Sequence, residues 1–186
     1  MSRHKRIKIH DREFRVLIPS SEIEAAIDRL AARINADYAA RAAVQPPLFL
    51  GVLNGAFMFV AELLRRIEFH CEISFVKLAS YHGLGSSGKI SELIGLKNNV
   101  EGRDVIILED VVDSGESMEH LLRSLAGHRP ASVEIATLFF KPGAFTRDFP
   151  VRYRAIETVN EFIVGFGLDY NELGRNLKDI YVVVDD

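Results

Sequence analysis

Cysteine and tryptophan are nearly missing from this 186-residue chain, which has a single cysteine, Cys71, and no tryptophan. One cysteine cannot form an intrachain disulfide, as is typical of proteins from a reducing compartment, so we expect a cytoplasmic location. The N-terminal stretch has no apolar core of the kind found in signal peptides. The most apolar run, residues 48–64, is shorter than the roughly 20 residues of a membrane-spanning helix. We therefore expect no membrane partner.

The chain also lacks a strong charge of either sign. Its formal net charge is −3, which argues against nucleic acid as a partner, because such binding usually needs a broad basic surface. The N-terminal stretch MSRHKRIK is locally basic and fits either a solvated terminus or a binding arm. With 48% apolar and 26% charged residues, the composition is that of an ordinary globular chain. The length predicts a single domain over residues 1–186.

Apolar patterning predicts strands that alternate with helices. Helices are expected over 21–40, where Ser21 and Glu24 fit a capping box, over 56–67 and over 117–128. Strands or extended segments are expected over 48–53, 72–80, 90–100, 104–109, 132–140, 161–166 and 179–184. This alternation indicates an α/β fold with a mainly parallel central sheet flanked by helices.

Ligands of such sheets bind beyond the carboxyl ends of the strands, so the polar residues at those ends are the first candidates for a functional site. The predicted strand ends are Leu53-Asn54-Gly55, Glu109-Asp110, Lys141-Pro142-Gly143 and the segment after Val164.

The stretch GLGSSGKI, residues 83–90, matches two glycine-rich patterns. One is the dinucleotide-binding pattern G-x-G-x-x-G, and the other is most of the triphosphate-binding pattern G-x-x-x-x-G-K-[ST]. Both patterns require a helix directly after the loop, and Gly95 with Gly102 and the intervening asparagines would interrupt it. The triphosphate-binding pattern also requires Ser or Thr where this chain has Ile90. A dinucleotide-binding protein is therefore the weaker interpretation, and we expect a lid rich in Gly and Ser.

The stretch VIILEDVVDSGESM, residues 105–118, combines a strand, an acidic cluster and a small polar turn. Backbone N–H groups and serine hydroxyls in residues 113–117 can form a phosphate cradle at a helix N-terminus. The carboxylates of Glu109 and Asp110 accept hydrogen bonds only, so they suit sugar hydroxyls or a magnesium ion rather than the phosphate.

Residues 105–117 resemble the 5-phosphoribosyl 1-pyrophosphate (PRPP) signature of the type I phosphoribosyltransferases. Four apolar residues precede two acids, two apolar residues follow, and Asp-[ST]-Gly-x-[ST] completes the pattern. Further similarity to the hypoxanthine/guanine branch lies in LNGAFMF at 53–59, Ser80-Tyr81, FFKPG at 139–143 and EFIVGFGLDYNELGRNL at 161–177.

The resemblance implies the transfer of 5-phosphoribose from PRPP to N9 of a 6-oxopurine, hypoxanthine or guanine, with magnesium. It also implies a small hood formed by residues of about 1–20 and 164–186, and a homodimer or homotetramer. A non-catalytic regulator of the same fold that senses PRPP or nucleotides is the alternative.

The resemblance further implies a role for each site residue. Asp113 would be the general base, and the 5′-phosphate would be held by Ser114, Gly115, Glu116 and Ser117. Glu109 and Asp110 would bind the ribose, directly or through magnesium, and Asp169 would also contact the metal and the purine site. Pyrophosphate would be bound by Asn54, Gly55 and Arg175, the purine by Lys141, Phe162 and Ile163, and the lid would begin at Ser80 and Tyr81.

Some of these residues have simpler interpretations. Without the neighbouring motifs, Lys141 would be an ordinary exposed lysine, Phe162 and Ile163 core strand residues, and Asp169 and Arg175 solvated loop charges. The resemblance also implies a cis peptide between Leu53 and Asn54. Relatives commonly have Lys or Arg where this chain has Asn54, and a neutral side chain there could weaken pyrophosphate binding or alter subunit contacts.

Overall fold

The computed structural model describes residues 6–80, 90–94 and 99–184, which form two sheets and their covering helices. The strands are β1 (Arg6–Ile9), β2 (Arg12–Ile18), β3 (Leu48–Leu53), β4 (Glu72–Ser80), β5 (Ile90–Ile94), β6 (Asp104–Val112), β7 (Ser132–Phe140), β8 (Tyr153–Glu157), β9 (Ile163–Val164) and β10 (Ile180–Val183). The helices are α1 (Ser20–Ala42), α2 (Phe57–Leu64) and α3 (Glu116–Ala126). None of these helices is both long and apolar enough to cross a membrane.

The larger sheet has six strands in the order β5-β4-β3-β6-β7-β8. All neighbouring pairs are parallel except β4 with β5, which confirms the predicted α/β fold with a mainly parallel sheet. Alternate residues of β6 point to opposite faces. Ile106 and Leu108 pack with residues of α1 and α2, whereas Val105 and Ile107 pack with residues of α3.

The smaller sheet is antiparallel and joins the two ends of the chain in the order β1-β2-β10-β9. Phe14, Val164 and Tyr181 form the centre of its own apolar cluster, together with the partly buried Tyr170 and Leu177. The segments 161–166 and 179–184 therefore belong to this second sheet rather than to the central one. Both strands are also shorter than predicted. Strand β9 ends at Val164 because Gly165 and Phe166 have positive φ angles and turn the chain, and β10 spans only Ile180–Val183.

Helix α1 begins earlier than the sequence predicts, and the predicted capping box of Ser21 and Glu24 is wrong. Pro19 occupies the N-cap position with extended backbone, and no side chain caps the helix locally. Instead, the backbone N–H of Ser20 donates to the Asp179 carboxylate at 2.8 Å. A contact with the C-terminal segment thus satisfies a donor that local capping would otherwise satisfy.

Other element bounds differ where packing outweighs local signals. Strand β6 continues to Val112 because Val111 and Val112 pair with Phe139 and Phe140 of β7, so the strand ends just before Asp113. Helix α2 ends at Leu64 rather than at residue 67. The lid prediction depends on residues 81–89, which lie outside the described residues. The same is true of residues 95–98 in the extended segment predicted over 90–100.

Candidate active site

The carboxyl end of β6, the following turn and the start of α3 enclose a cavity of about 260 Å³. It is lined by residues 109–118, so all of the predicted PRPP-binding residues of this stretch lie around one space. Gly115 has a φ of 86°, a conformation that glycine adopts readily. A Cβ at this position would also lie 2.6 Å from the Phe145 ring, so both backbone and packing favour glycine here.

Glu109 and Asp110 are buried, with only 8% and 9% of their surfaces exposed. Burial raises the pKa of Glu109 well above its ordinary value, and the negative charge of Asp110 raises it further. Burial also raises the pKa of Asp110, although its hydrogen bonds and the Arg175 charge oppose that rise. The pair therefore retains protons more readily than free carboxyl groups, and a bound cation would favour their release.

The side chain of Asp110 contacts the loop after β3. A Cβ added to Gly55 would lie 1.5 Å from Asp110 Oδ2, and a Cβ added to Gly167 would lie 2.1 Å from the Gly55 carbonyl oxygen. Asp110, Gly55 and Gly167 are thus stacked in direct contact. The predicted cis peptide between Leu53 and Asn54 is present at this loop.

Lys141 follows β7 and forms an ion pair with Asp113. Its side chain is buried, with 7% of the residue exposed, and its Nζ donates to Asp113 Oδ2 at 2.9 Å. The backbone N–H of Lys141 donates to the Val112 carbonyl at 3.0 Å, which fixes β7 next to the β6 turn. The interpretation of Lys141 as an ordinary exposed lysine is therefore wrong. The half-exposed Asp113 presents an acceptor beside this cation.

Phe162 and Ile163 have different environments despite being adjacent. Ile163 is buried and pairs with Val182 in the smaller sheet, as a core residue does. Phe162 is 45% exposed and is therefore not a core residue. Its ring packs edge-to-face with Tyr170, with centroids 5.7 Å apart.

Asp169 and Arg175 form an ion pair rather than two independently solvated charges. Arg175 Nη2 lies 2.7 Å from Asp169 Oδ1, and Arg175 Nη1 donates to the Gly167 carbonyl at 2.8 Å. Arg175 thereby links this ion pair to Gly167, which contacts Gly55. Sequence reasoning missed Gly167, although the closely spaced glycines of Gly-Phe-Gly at 165–167 are a signal of close backbone contact.

The proposed metal ligands Glu109, Asp110 and Asp169 do not form a ready metal-binding cluster. Among the residues that the structure describes, no group of three or more His, Cys, Asp or Glu side chains is arranged to hold a metal ion. Two adjacent carboxylates nevertheless suit magnesium, because this ion is commonly bound by one or two carboxylates together with waters and substrate phosphates.

Comparison with protein families gives a direct match over most of the chain. A family model described as the phosphoribosyl transferase domain matches residues 19–171. The chain belongs to this family. It is therefore a transferase, and the α/β fold above is that of a type I phosphoribosyltransferase.

Relatives of this phosphoribosyltransferase include the hypoxanthine-guanine phosphoribosyltransferases of Streptococcus agalactiae and Streptococcus mutans. Each is 42% identical over 174 residues, which cover 92% of this chain and 94% of the relative. A crystal structure of a hypoxanthine-guanine phosphoribosyltransferase from Bacillus anthracis has a TM-score of 0.83 and 31% identity, covering 91% of this chain and 96% of that one. A Trypanosoma cruzi hypoxanthine phosphoribosyltransferase has a TM-score of 0.85 and 31% identity, covering 96% and 95%.

Proposed function

We propose that this phosphoribosyltransferase is a purine salvage enzyme. It transfers 5-phosphoribose from PRPP to N9 of hypoxanthine or guanine and releases pyrophosphate and IMP or GMP. The Lys141–Asp113 pair carries this proposal, because it presents a hydrogen-bond donor and an acceptor 2.9 Å apart beside the cavity of residues 109–118. A 6-oxopurine has the complementary pair on one edge: the 6-oxo oxygen accepts and N7–H donates. The curated relatives support the same activity.

The phosphate cradle comprises the turn and first residues of α3. Backbone N–H groups of Ser114 to Ser117 and the serine hydroxyls donate to the 5′-phosphate, and the partial positive charge of the helix N-terminus adds to the attraction. The Asp110 carboxylate is directed to Gly55 and the Asp113 carboxylate contacts Lys141, so neither of these two needs to face the phosphate. The sugar would then lie between the cradle and the Glu109–Asp110 pair.

Glu109 and Asp110 would bind the ribose hydroxyls directly or through Mg²⁺. Asp169 would bind a metal that is also held by pyrophosphate, since the residues that the structure describes include no cluster of three or more ligating side chains. Such a metal would neutralise the charge that develops on pyrophosphate as it departs. Burial raises the pKa of Glu109 and so favours its protonated form, whereas a cation bound beside it would favour the carboxylate.

Asp113 would act as the general base. It takes the N7 proton as N9 forms its bond to C1 of the ribose and the bond from C1 to pyrophosphate breaks. Lys141 donates to the 6-oxo oxygen and stabilises the negative charge that the purine gains on losing the proton. Adenine has a 6-amino donor where Lys141 requires an acceptor, so the site should reject adenine. Phe162 stacks on the purine, and Ile163 offers backbone groups to its far edge.

Pyrophosphate would be held by Arg175 and by backbone groups of Asn54 and Gly55. The side chain of Asn54 carries no charge, so Arg175 bears more of the neutralisation than in relatives with a basic residue at that position. The Asp169–Arg175 pair keeps this cation next to Gly167 and Gly55 before substrate binds.

The proposal extends to the domain organisation, the lid, the assembly and the location of the enzyme. The chain forms a single domain whose hood consists of residues of about 1–20 and 164–186, and the lid that begins at Ser80 and Tyr81 closes over PRPP. The enzyme assembles as a homodimer or homotetramer and acts in the cytoplasm.

The decisive experiment is a turnover assay with PRPP, Mg²⁺ and hypoxanthine, guanine, xanthine or adenine in turn, with nucleotide formation followed by chromatography. We expect product with hypoxanthine or guanine and none with adenine. If no 6-oxopurine is converted although PRPP binds, the protein is a non-catalytic sensor and the proposal is wrong.

A further inference from the structure

The turn between β1 and β2 contacts the loop that follows Phe166. The Tyr170 hydroxyl donates to Asp11 Oδ1 at 2.8 Å, and His10 Nε2 lies 3.1 Å from the Asn171 carbonyl oxygen. The Arg12 guanidinium lies 5.8 Å from the centroid of the Tyr170 ring. Two turn residues and the first residue of β2 thus contact Tyr170 and Asn171, which lie far from them in the sequence.

The other contacts of Tyr170 reach the proposed purine-stacking residue. Its ring packs edge-to-face with Phe162 at 5.7 Å and an interplanar angle of 75°. Phe14 of β2 completes the group, at 5.9 Å from Tyr170 and 6.5 Å from Phe162. Phe162 itself is half-exposed and immediately precedes the two-residue strand β9, so its ring needs support from neighbouring side chains.

We propose that Tyr170 is a positioning residue for the purine, a role that rests on the proposed function. Anchored to Asp11 through its hydroxyl, it holds the Phe162 ring in the orientation that stacks on the base. A preoriented ring does not lose rotational freedom when the purine binds, so the affinity for the purine increases. PRPP and pyrophosphate contact other parts of the site, so Tyr170 should affect the purine far more than PRPP.

The test compares Tyr170→Leu and Tyr170→Phe with wild type in steady-state assays in which each substrate is varied. Tyr170→Leu removes the ring contact and should raise the KM for the purine about two- to ten-fold, since an aromatic pair is worth about that factor. The kcat and the KM for PRPP should stay within about two-fold of wild type. Tyr170→Phe keeps the ring but loses the bond to Asp11, so it should give a smaller rise in the purine KM.

The chain offers a matched control in Tyr153, whose hydroxyl donates to Asp37 at 2.7 Å on the α1 side of the larger sheet. Tyr153→Phe removes the same kind of hydrogen bond and should lower resistance to urea without changing the purine KM. A second pair of variants, Asp11→Ala and Asp11→Asn, tests whether Tyr170 needs a hydrogen-bond acceptor at position 11. Asp11→Asn retains an acceptor for the Tyr170 hydroxyl, so it should keep the wild-type purine KM that Asp11→Ala loses.

The outcomes separate this role from the proposed function. With an active wild type, an unchanged purine KM in Tyr170→Leu overturns the role of Tyr170. The same applies if kcat and both KM values shift in parallel, or if Tyr153→Phe raises the purine KM as much. A wild type that converts no 6-oxopurine overturns the proposed function itself and this role with it.

Discussion

Replacing Lys141 with Met removes the cation of the Lys141–Asp113 pair while keeping an unbranched side chain in the buried site. The ammonium group lies 2.9 Å from Asp113 Oδ2, and 7% of the residue is exposed. Because an ammonium has three N–H donors, it can keep Asp113 and also donate to a 6-oxo oxygen. Lys141→Met should therefore weaken both purine recognition and stabilisation of the charge on the purine.

The expected magnitude follows from the loss of one charge-assisted hydrogen bond. Hydrogen bonds with a charged partner contribute about 1.5–3 kcal/mol, so kcat/KM for the purine should fall about 10- to 150-fold. The stability change should be much smaller, about 0–1 kcal/mol, because the half-exposed Asp113 remains hydrated after the cation is lost.

The assay measures kcat/KM for hypoxanthine, guanine and adenine, and urea unfolding measures stability. Lys178→Met is the control, because Lys178 is exposed, and its replacement should leave both quantities unchanged. Discrimination between guanine and adenine should narrow in Lys141→Met. If kcat/KM for guanine stays within about two-fold of wild type, Lys141 does not contact the 6-oxo group and the reasoning is refuted.

Three other changes test the remaining parts of the site. Asp113→Ala should reduce kcat about 10²–10⁴-fold with the fold intact by circular dichroism, and unchanged rates would reject Asp113 as the base. Gly55→Ala places a Cβ 1.5 Å from Asp110 Oδ2, so the free energy of unfolding in urea should fall by about 1–3 kcal/mol. Adding Asp110→Ala should partly relieve this clash, and additive losses in the double variant would contradict the contact. Burial raises the pKa of Glu109 in the folded state, so between the unfolded and folded pKa values the folded chain holds more protons than the unfolded chain. The free energy of unfolding therefore falls as pH rises towards the pKa of folded Glu109. Glu109→Gln should therefore become increasingly more stable than wild type as pH rises in urea titrations, and a difference that does not vary with pH would show that Glu109 is not the cause.

The central strands were predictable because their burial leaves a strong pattern. Residues 48–53, 72–80 and 132–140 form β3, β4 and β7 with the predicted bounds. Strand β3 is a uniformly apolar run, as expected of a parallel strand covered on both faces, and the alternation of apolar and polar residues in β4 is also typical of a strand. The cavity of residues 109–118 was equally readable, since a strand, a turn and a helix that follow one another must lie close in space.

Features that depend on distant contacts were not predictable from local patterns. Strands β1 and β2 carry several charged residues, and β2 pairs with β10, which lies near the other end of the chain and pairs in turn with β9. The helix donor at Ser20 is satisfied by Asp179, which no local capping pattern could indicate. Strand β8 was missed as well. Its Tyr153 forms a hydrogen bond with Asp37 of α1, another contact between distant parts of the sequence.

The site shows the same division between local and distant contacts. The acidic pair and the turn of residues 113–117 follow from a single stretch, but the Lys141–Asp113 pair joins two strand ends and the Asp110–Gly55–Gly167 stack joins strand β6 to two loops. Sequence similarity predicted Lys141 and Asp113 as site residues but not the contact between them. It did not predict the role of Gly167, because that role depends only on close backbone packing.

Stoichiometry is the most direct test of the central claim, that the site couples PRPP cleavage to attachment of a purine. Wild-type protein is incubated with PRPP, Mg²⁺ and guanine, and pyrophosphate and GMP are measured over time. The account predicts equal amounts of both products, formed in repeated turnovers and only when guanine is present. Tight binding of PRPP without GMP, or release of pyrophosphate at the same rate without guanine, would contradict it.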